Sequence, residues 1–407
     1  MSCSVAMLSV HTSPLDSPGR TKDAGGMNVY MRELACALAK YNVKVDIFTR
    51  WTNETAPQVV QLNPQVRVIH IKAGPVAPIH KNDLYQYLPI FTRNIDEFRC
   101  REAGQYDLIH SHYWLSGVAG MRLARLWDIS HVTTFHTLAR LKQLAHPNEP
   151  EPPLRLEMEQ RLIQHVDRII APTVDERTEL IRFCGATTSQ VDVIPCGVDL
   201  DLFVPRDQQQ ARKLLYLDPQ QPVLLFAGRL DPFKGPDLLL RAAAMMEEEA
   251  QIVIVGGKLS GDKDVKGLQT LAKELKISQR VHFLGARPRQ EMPLIYSAAH
   301  VTVVPSYHES FGLAAVESLA CGTPVVATRA GGLMTVIQHG ETGYLVPRCA
   351  GFFAERLDTL LHTPDLYAHM SAAARDSVRR FSWSSVARQV HDVYDAIIDE
   401  AECLVAQ

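Results

Sequence analysis

Short apolar runs separated by longer amphipathic stretches, in a pattern that occurs twice, constrain this chain more than any other feature. In the first half the strand-like runs are residues 4–10, 43–49, 66–71, 107–111, 131–135, 168–172 and 191–195. Helical periodicity fills 27–40, 115–127 and 153–166 between some of them. In the second half runs at 222–227, 251–255, 280–284, 300–304, 323–327 and 344–346 alternate with helical patterns at 236–249, 265–275, 290–299 and 312–320. Runs that are apolar at consecutive positions belong to strands buried on both faces, and strand–helix alternation makes their sheets parallel. The expected fold class is therefore α/β, with two Rossmann-like, doubly wound domains facing across a cleft. The boundary falls in 196–210, giving domains at 1–195 and 196–383. A last helical pattern at 384–404 follows Phe381-Ser382-Trp383 and is long enough to return to the first domain, so 384–407 is assigned there. Ligands of open α/β sheets bind beyond the carboxyl ends of the strands. Two such ends facing each other suit a reaction that joins one substrate from each domain.

The 407 residues exceed one ordinary core, consistent with roughly 100–200 residues per domain. A hydrophobic fraction of 46%, with 23 glycines and 24 prolines, excludes a disordered or collagen-like chain. Lys and Arg number 42 against 45 Asp and Glu, a net charge of −3, which argues against a nucleic-acid or polybasic membrane binder. Eight cysteines lack CxxC spacing, so neither a disulfide framework nor a structural zinc site is expected. The N-terminal apolar run is too short for a signal peptide, and no stretch suffices for a transmembrane segment. A cytoplasmic setting follows as the expectation.

The densest motif is Pro305-Ser-Tyr-His-Glu-Ser-Phe-Gly-Leu-Ala-Ala-Val-Glu-Ser-Leu-Ala-Cys-Gly-Thr-Pro. It reads as strand end, loop with Glu309, helix with Glu317, and a stop at Gly322. The helix start at Gly312 and Leu313 offers free N–H groups and partial positive charge to a phosphate. Glu317 suits two ribose hydroxyls, and Glu309 lies where a donor sugar would project. Taken singly, Glu309 also reads as an N-cap and Glu317 as a solvated helix residue. A second motif, Phe226-Ala-Gly-Arg-Leu-Asp-Pro-Phe-Lys-Gly, sets Arg229 and Lys234 at a strand's carboxyl end, suited to the two phosphates of a leaving nucleotide. Alone it also reads as a basic surface loop.

In the first domain Asp23-Ala-Gly-Gly-Met-Asn-Val-Tyr opens a helix, and Gly26 could hold a phosphate or sugar there. It is not a complete G-x-G-x-x-G, which disfavours a nicotinamide cofactor. His110-Ser-His-Tyr-Trp-Leu-Ser-Gly and Thr134-Phe-His-Thr-Leu-Ala each follow a strand. No third ligand supports His110 and His112 as a metal site, so packing and hydrogen bonding are preferred for His110. His136 is expected at a strand exit facing the cleft. Arg155 follows Pro152-Pro153 and so sits in a helix's first turn, where a cation is disfavoured by the dipole. Either a bound anion or an i,i+4 pair with Glu159 would offset that.

The two second-domain motifs together resemble the retaining glycosyltransferases of family four, whose fold is called GT-B. The resemblance covers essentially the whole chain and extends to Ile194-Pro-Cys-Gly-Val-Asp and Gly331-Gly332. It implies that Arg229 and Lys234 bind the donor diphosphate, that Glu317 holds the ribose, and that Glu309 contacts the donor sugar. Arg287, in Gly285-Ala-Arg-Pro, falls where the family holds the base, and His136 where it approaches the anomeric carbon. The catalytic set so implied is His136, Arg229, Lys234 and Glu309.

His11-Thr-Ser-Pro, the Asp23 and His110 motifs, His136-Thr-Leu-Ala and Glu149-Pro-Glu-Pro-Pro-Leu-Arg resemble the subfamily of inositol-phosphate glycosyltransferases of mycothiol biosynthesis. That resemblance implies an acceptor-phosphate clasp of Lys81, Tyr113, Thr137 and Arg155, with Asn28 on the acceptor side. Sucrose-phosphate synthases are similar in this clasp. The turn at Pro232-Phe233-Lys234-Gly235 and the pair Thr134-Phe135 depart from the subfamily pattern. The implied reaction is retaining transfer of GlcNAc or glucose from a UDP-sugar to a hydroxyl of a phosphorylated cyclitol or sugar, most like inositol 3-phosphate. Transfer to fructose 6-phosphate, or to a lipid or polysaccharide, is the alternative. Charges between Lys81 and Glu102 cancel, which disfavours a lipid-facing surface. No metal and no cofactor is implied, and a homodimer is compatible with the resemblance.

Overall fold

The computed structural model of the chain describes residues 3–16, 25–145 and 150–405. Among these, one compact unit holds 3–16, 25–145, 150–197 and the C-terminal stretch from Trp383, and a second holds Val198–Ser382.

The first unit is built on eight strands: β1 (Ser4–Ser9), β2 (Lys44–Arg50), β3 (Val59–Asn63), β4 (Val66–Ile71), β5 (Leu108–His112), β6 (Ser130–Thr134), β7 (Arg168–Ala171) and β8 (Val191–Val193). Their order is β3-β4-β2-β1-β5-β6-β7-β8, parallel throughout except for the β3–β4 pair. The winding reverses between β1 and β5, which opens a crevice at their carboxyl ends. Strand β1 shows why its sequence does not alternate. Val5 and Met7 enter one core cluster, beneath the helix Gly26–Leu38, while Ala6 and Leu8 enter another, beneath the helices Leu88–Arg101 and Trp114–Trp127. The helix Trp383–Val405 belongs to the first of these layers. Its Val386, Ala387, Val390, Tyr394 and Ile397 are buried with Tyr30, Met31 and Leu34.

The second unit has six strands: β9 (Val223–Ala227), β10 (Gln251–Val255), β11 (Val281–Gly285), β12 (Val301–Val304), β13 (Val325–Thr328) and β14 (Gly343–Val346). They are ordered β11-β10-β9-β12-β13-β14, and all pairs are parallel. Here the winding reverses between β9 and β12.

Two expectations need correction. Strand β3 was not anticipated, because this edge strand is largely open to solvent and carries no continuous apolar run. The helix expected over 236–249 stops at Ala243, although Met245–Glu249 are good helix formers. The Asp358 carboxylate accepts from the backbone N–H groups of Glu247 (3.0 Å) and Glu248 (3.1 Å), so a tertiary contact overrides local propensity. No helix among the described residues is long and apolar enough to cross a membrane.

Candidate active site

At the β9–β12 crevice two loops are stitched together. The loop after β9 folds into a turn in which Lys234 N–H donates to the Asp231 carbonyl (3.0 Å). Gly235 follows with φ of +71°, and a Cβ there would stand 2.5 Å from the Pro305 carbonyl oxygen. Both the backbone conformation and the close approach demand glycine. Tyr307 N–H, just after β12, donates to the Phe233 carbonyl (2.9 Å). Arg348 donates to the Pro305 carbonyl (3.0 Å) and lies 3.4 Å above the centre of the Tyr307 ring.

That stitching brings Lys234 and Glu309 together, 75 residues apart in sequence, with Nζ 2.7 Å from Oε1. Ser306 Oγ donates to the same oxygen at 2.7 Å. Burial pushes the Glu309 carboxyl up, but the Lys234 ammonium and the two hydrogen bonds outweigh it and hold the group below the usual carboxylate range. The carboxylate is thus charged, fixed and matched by one cation. Arg229 remains more open, its guanidinium 3.4 Å from Asp231. Gly331-Gly332, in the loop after β13, press on the back of the Glu309 loop. Gly332 N–H donates to the Glu309 carbonyl (2.7 Å), and a Cβ on Gly332 would collide with the Phe311 backbone.

The helix Leu313–Ala320 begins after Gly312, which has φ of +100° and whose side-chain position is closed by Leu333. Glu317 on that helix accepts from the Tyr296 hydroxyl (3.1 Å), and Arg289 Nε lies 3.8 Å from its other oxygen. Arg287, the arginine the sequence singled out, lies exposed, donating to the Leu284 carbonyl (3.0 Å) and 3.4 Å from Glu291. Arg289 was missed. Both arginines follow β11 in sequence, and only their side-chain placement separates them.

The β1–β5 crevice carries the second cluster. Asn28 is buried near the start of the helix Gly26–Leu38, and its amide donates to Thr12 Oγ1 (2.7 Å) and the Ser13 carbonyl (2.5 Å) while accepting from Gly25 N–H (3.2 Å). This ties the loop after β1 to the helix start, with Gly26 as the first helical residue. Asp23 and Ala24 of that motif, and Glu149 of another, lie outside the described residues.

His110 bonds Tyr394 Oη (2.6 Å) and Thr134 Oγ1 (2.9 Å), which is the packing and hydrogen-bonding arrangement preferred for it. His112 Nδ1 meets His136 Nε2 at 3.0 Å, a pairing that residue spacing alone does not reveal. Burial pushes His136 down to about 3, so its ring is neutral near pH 7. His136 has φ of 60° and Tyr113 φ of 74°, sparsely populated for non-glycine residues. Two such residues at strand exits mark a place where the surrounding structure holds strain.

Tyr113, Thr137 and Arg155 converge. The Arg155 guanidinium carbon lies 4.8 Å from the centre of the Tyr113 ring, and Nη2 donates to the Thr137 carbonyl (2.6 Å). Its remaining directions go to Glu159 (2.7 Å) and Glu151 (2.7 Å), so the i,i+4 pair with Glu159 is present. Burial disfavours the Arg155 charge, but the two carboxylates and Tyr113 outweigh it. Thr137 Oγ1 donates to the His136 carbonyl (2.8 Å). Lys81 lies in a short turn, Lys81–Asp83, leading to Tyr85, whose hydroxyl reaches Met158 (3.5 Å) on the helix that carries Arg155. Among the described residues no group of three or more His, Cys, Asp or Glu side chains is placed to hold a metal ion.

Comparison with known proteins supplies the family. Residues 24–202 match the model for Glycosyltransferase Family 4, and residues 207–377 that for Glycosyl transferases group 1. The D-inositol 3-phosphate glycosyltransferase of Xylanimonas cellulosilytica is 43% identical over 400 residues, covering 96% of this chain and 96% of its own. The structure of sucrose-phosphate synthase from Thermosynechococcus elongatus superposes with a TM-score of 0.91 at 33% identity, covering 98% of this chain and all of that one. HepE from Anabaena, solved in complex with UDP and glucose, matches at a TM-score of 0.76 and 22% identity over 97% of this chain and all of its own, which shows the shared fold. The two Rossmann-like domains are those of the GT-B fold, and the chain belongs to the family 4 glycosyltransferases.

Proposed function

We propose that the protein transfers a sugar, GlcNAc or glucose, from a UDP-sugar to a hydroxyl of a phosphorylated cyclitol, most like inositol 3-phosphate, with retention of anomeric configuration. The observation that carries this reading is the convergence of Tyr113, Thr137 and Arg155 at the β1–β5 crevice. A buried guanidinium beside a phenol and a threonine is chemistry suited to a phosphate. The relatedness to D-inositol 3-phosphate glycosyltransferases supports the cyclitol. The UDP held by HepE supports the donor base.

In this reading residues 1–195 with 384–407 bind the acceptor, and residues 196–383 bind the donor. Lys234 and Arg229 face the diphosphate and stabilise the charge that grows as the glycosidic bond breaks. The N–H groups at Gly312–Leu313 add to that stabilisation. Glu309, held charged beside Lys234, receives sugar hydroxyls, and Glu317 receives those of the ribose. Arg287 and Arg289 flank the nucleotide end. His136, neutral, lies beside the anomeric carbon and accepts or donates one hydrogen bond there. Asn28 and Gly26 border the acceptor, and Lys81 completes its phosphate clasp with Tyr113, Thr137 and Arg155. A donor phosphate oxygen takes the acceptor proton as the new bond forms on the face the nucleotide leaves. The two cations and the helix start perform the charge stabilisation that would otherwise call for a divalent metal.

The test is a panel. Purified protein is incubated with UDP-GlcNAc or UDP-glucose and with inositol 3-phosphate, fructose 6-phosphate or inositol, with and without EDTA. UDP release and product mass are followed, and the anomeric coupling constant is read by NMR. Turnover with inositol 3-phosphate, unchanged by EDTA and yielding the α-linked product, is expected. Turnover of unphosphorylated acceptors alone would remove the clasp, and inversion would remove the mechanism. Fructose 6-phosphate is the second reading, favoured by the structural likeness to sucrose-phosphate synthase, and the same panel separates the two.

A further inference from the structure

The Arg155 guanidinium is already matched by carboxylates. Arg155 and Lys142 are matched by Glu151 and Glu159, with Glu151 bridging Lys142 Nζ (2.7 Å) and Arg155 Nη1 (2.7 Å). A phosphate dianion brought to Arg155 would meet two carboxylates already on the same guanidinium, and like charges at that range repel strongly. One of the two must give way.

The two are not equivalent. Glu159 is buried within the helix Pro153–Ile163, and its second oxygen accepts from the Ala139 N–H (2.8 Å). Withdrawing it would leave a buried backbone donor unsatisfied, which forfeits that group's hydrogen bond with no water to replace it. Glu151 accepts from the ends of two side chains and lies in the irregular stretch ahead of that helix. It can turn out without unwinding a helix or orphaning a backbone group.

We infer that Glu151 is a placeholder for the acceptor's phosphate: its carboxylate occupies the anion position on Arg155 and is displaced when a phosphorylated acceptor binds. The inference rests on the phosphorylated-acceptor reading given above. It makes Glu151 a selectivity residue, since a neutral polyol has no charge with which to displace it.

The full-length protein and its Glu151→Gln variant are compared in two measurements. Calorimetry follows binding of inorganic phosphate, and steady-state kinetics follows the KM for inositol 3-phosphate. Removing the competing charge tightens both, by about tenfold where the native site is open in about one molecule in ten. Unchanged or weaker phosphate binding in Glu151→Gln overturns the inference, because Glu151 would then organise Arg155 rather than block it. Glu151→Ser serves if the glutamine variant fails to fold, folding being followed by far-UV circular dichroism. If no phosphorylated acceptor is turned over while Glu151→Gln still tightens phosphate binding, the proposed function fails and the placeholder stands.

Discussion

At the scale of single residues, the pairing of Lys234 with Glu309 separates two effects that sequence alone runs together. The motif spacing places a cation and a carboxylate at neighbouring strand ends, and both were legible from the positions of the glycines and prolines around them. Their direct contact was not, because it depends on Tyr307 and Phe233 joining the two loops across 74 residues. Lys234 therefore does two things: it presents charge to the site and holds Glu309 ionised. Replacing it with Met should lower kcat by roughly 100- to 1000-fold, the usual effect of losing one preorganised donor. It should also leave Glu309 to its burial, so that the carboxyl rises. The sign follows: in the native protein Glu309 stays charged until the pH falls below the ordinary carboxylate range, and in Lys234→Met it takes up a proton at higher pH. The acid limb of kcat/KM against pH should move upward in the variant. An unmoved limb would mean that Glu309 does not depend on Lys234. Arg287 and Arg289 show the complementary limit, since both lie in one short segment and only the tertiary placement of Glu317 distinguishes them.

Whole elements were legible where burial dictates composition and lost where it does not. Strand β1 could be read because both its faces are covered, whereas β3 could not because its edge is exposed. The same logic applies to the C-terminal helix, whose apolar stripe announces a partner without naming it. That partner is the helix Gly26–Leu38, and Tyr394 carries its hydroxyl through the layer to His110 Nδ1 (2.6 Å). Tyr394→Phe keeps the ring and removes the bond, leaving a buried imidazole nitrogen unsatisfied. It should lower unfolding stability by about 1–3 kcal/mol in urea titration, and a change within error would show that the bond contributes little. Gly331-Gly332 make a second element-scale case. The loop after β13 is a wedge behind Glu309, and Gly332→Ala would force its Cβ into the Phe311 backbone. Overpacking of that kind costs about 1–3 kcal/mol, and here relief would displace the Glu309 loop. The variant should therefore lose activity at temperatures where circular dichroism still reports a folded chain.

For the molecule as a whole, the two units differ in how they hold their histidines, and that difference gives them different responses to acid. In the first unit burial pushes His110, His131 and His136 down to about 3 and His112 well below its ordinary value. In the second unit burial and Arg212 push His300 down to about 4, and His282 and His308 are lowered. A folded value below the unfolded one means stability that is complete above about pH 6.5 and lost as pH falls toward the folded value. Glu176 works in the opposite sense, since burial raises it to about 8 and its contribution grows as pH falls to the unfolded carboxylate range. Burial also raises Glu159, Glu179 and Asp192. Four histidines outnumber the one carboxyl pushed that far, so the first unit should weaken between pH 6.5 and 4.5. The four tryptophans, Trp51, Trp114, Trp127 and Trp383, all belong to that unit, so their fluorescence reports its unfolding separately. The contribution of one group is isolated by His131→Gln, which keeps a donor for Ser111 Oγ, 2.8 Å from His131 Nε2, but cannot titrate. Each histidine held neutral adds up to ~1.4 kcal/mol per pH unit to the slope of stability against pH. In urea titrations followed by tryptophan fluorescence at pH 7, 6 and 5, the variant's slope should be shallower by up to that amount. Parallel slopes would mean that His131 takes up its proton without opening the core, and that the acid response of the first unit lies in its other buried groups.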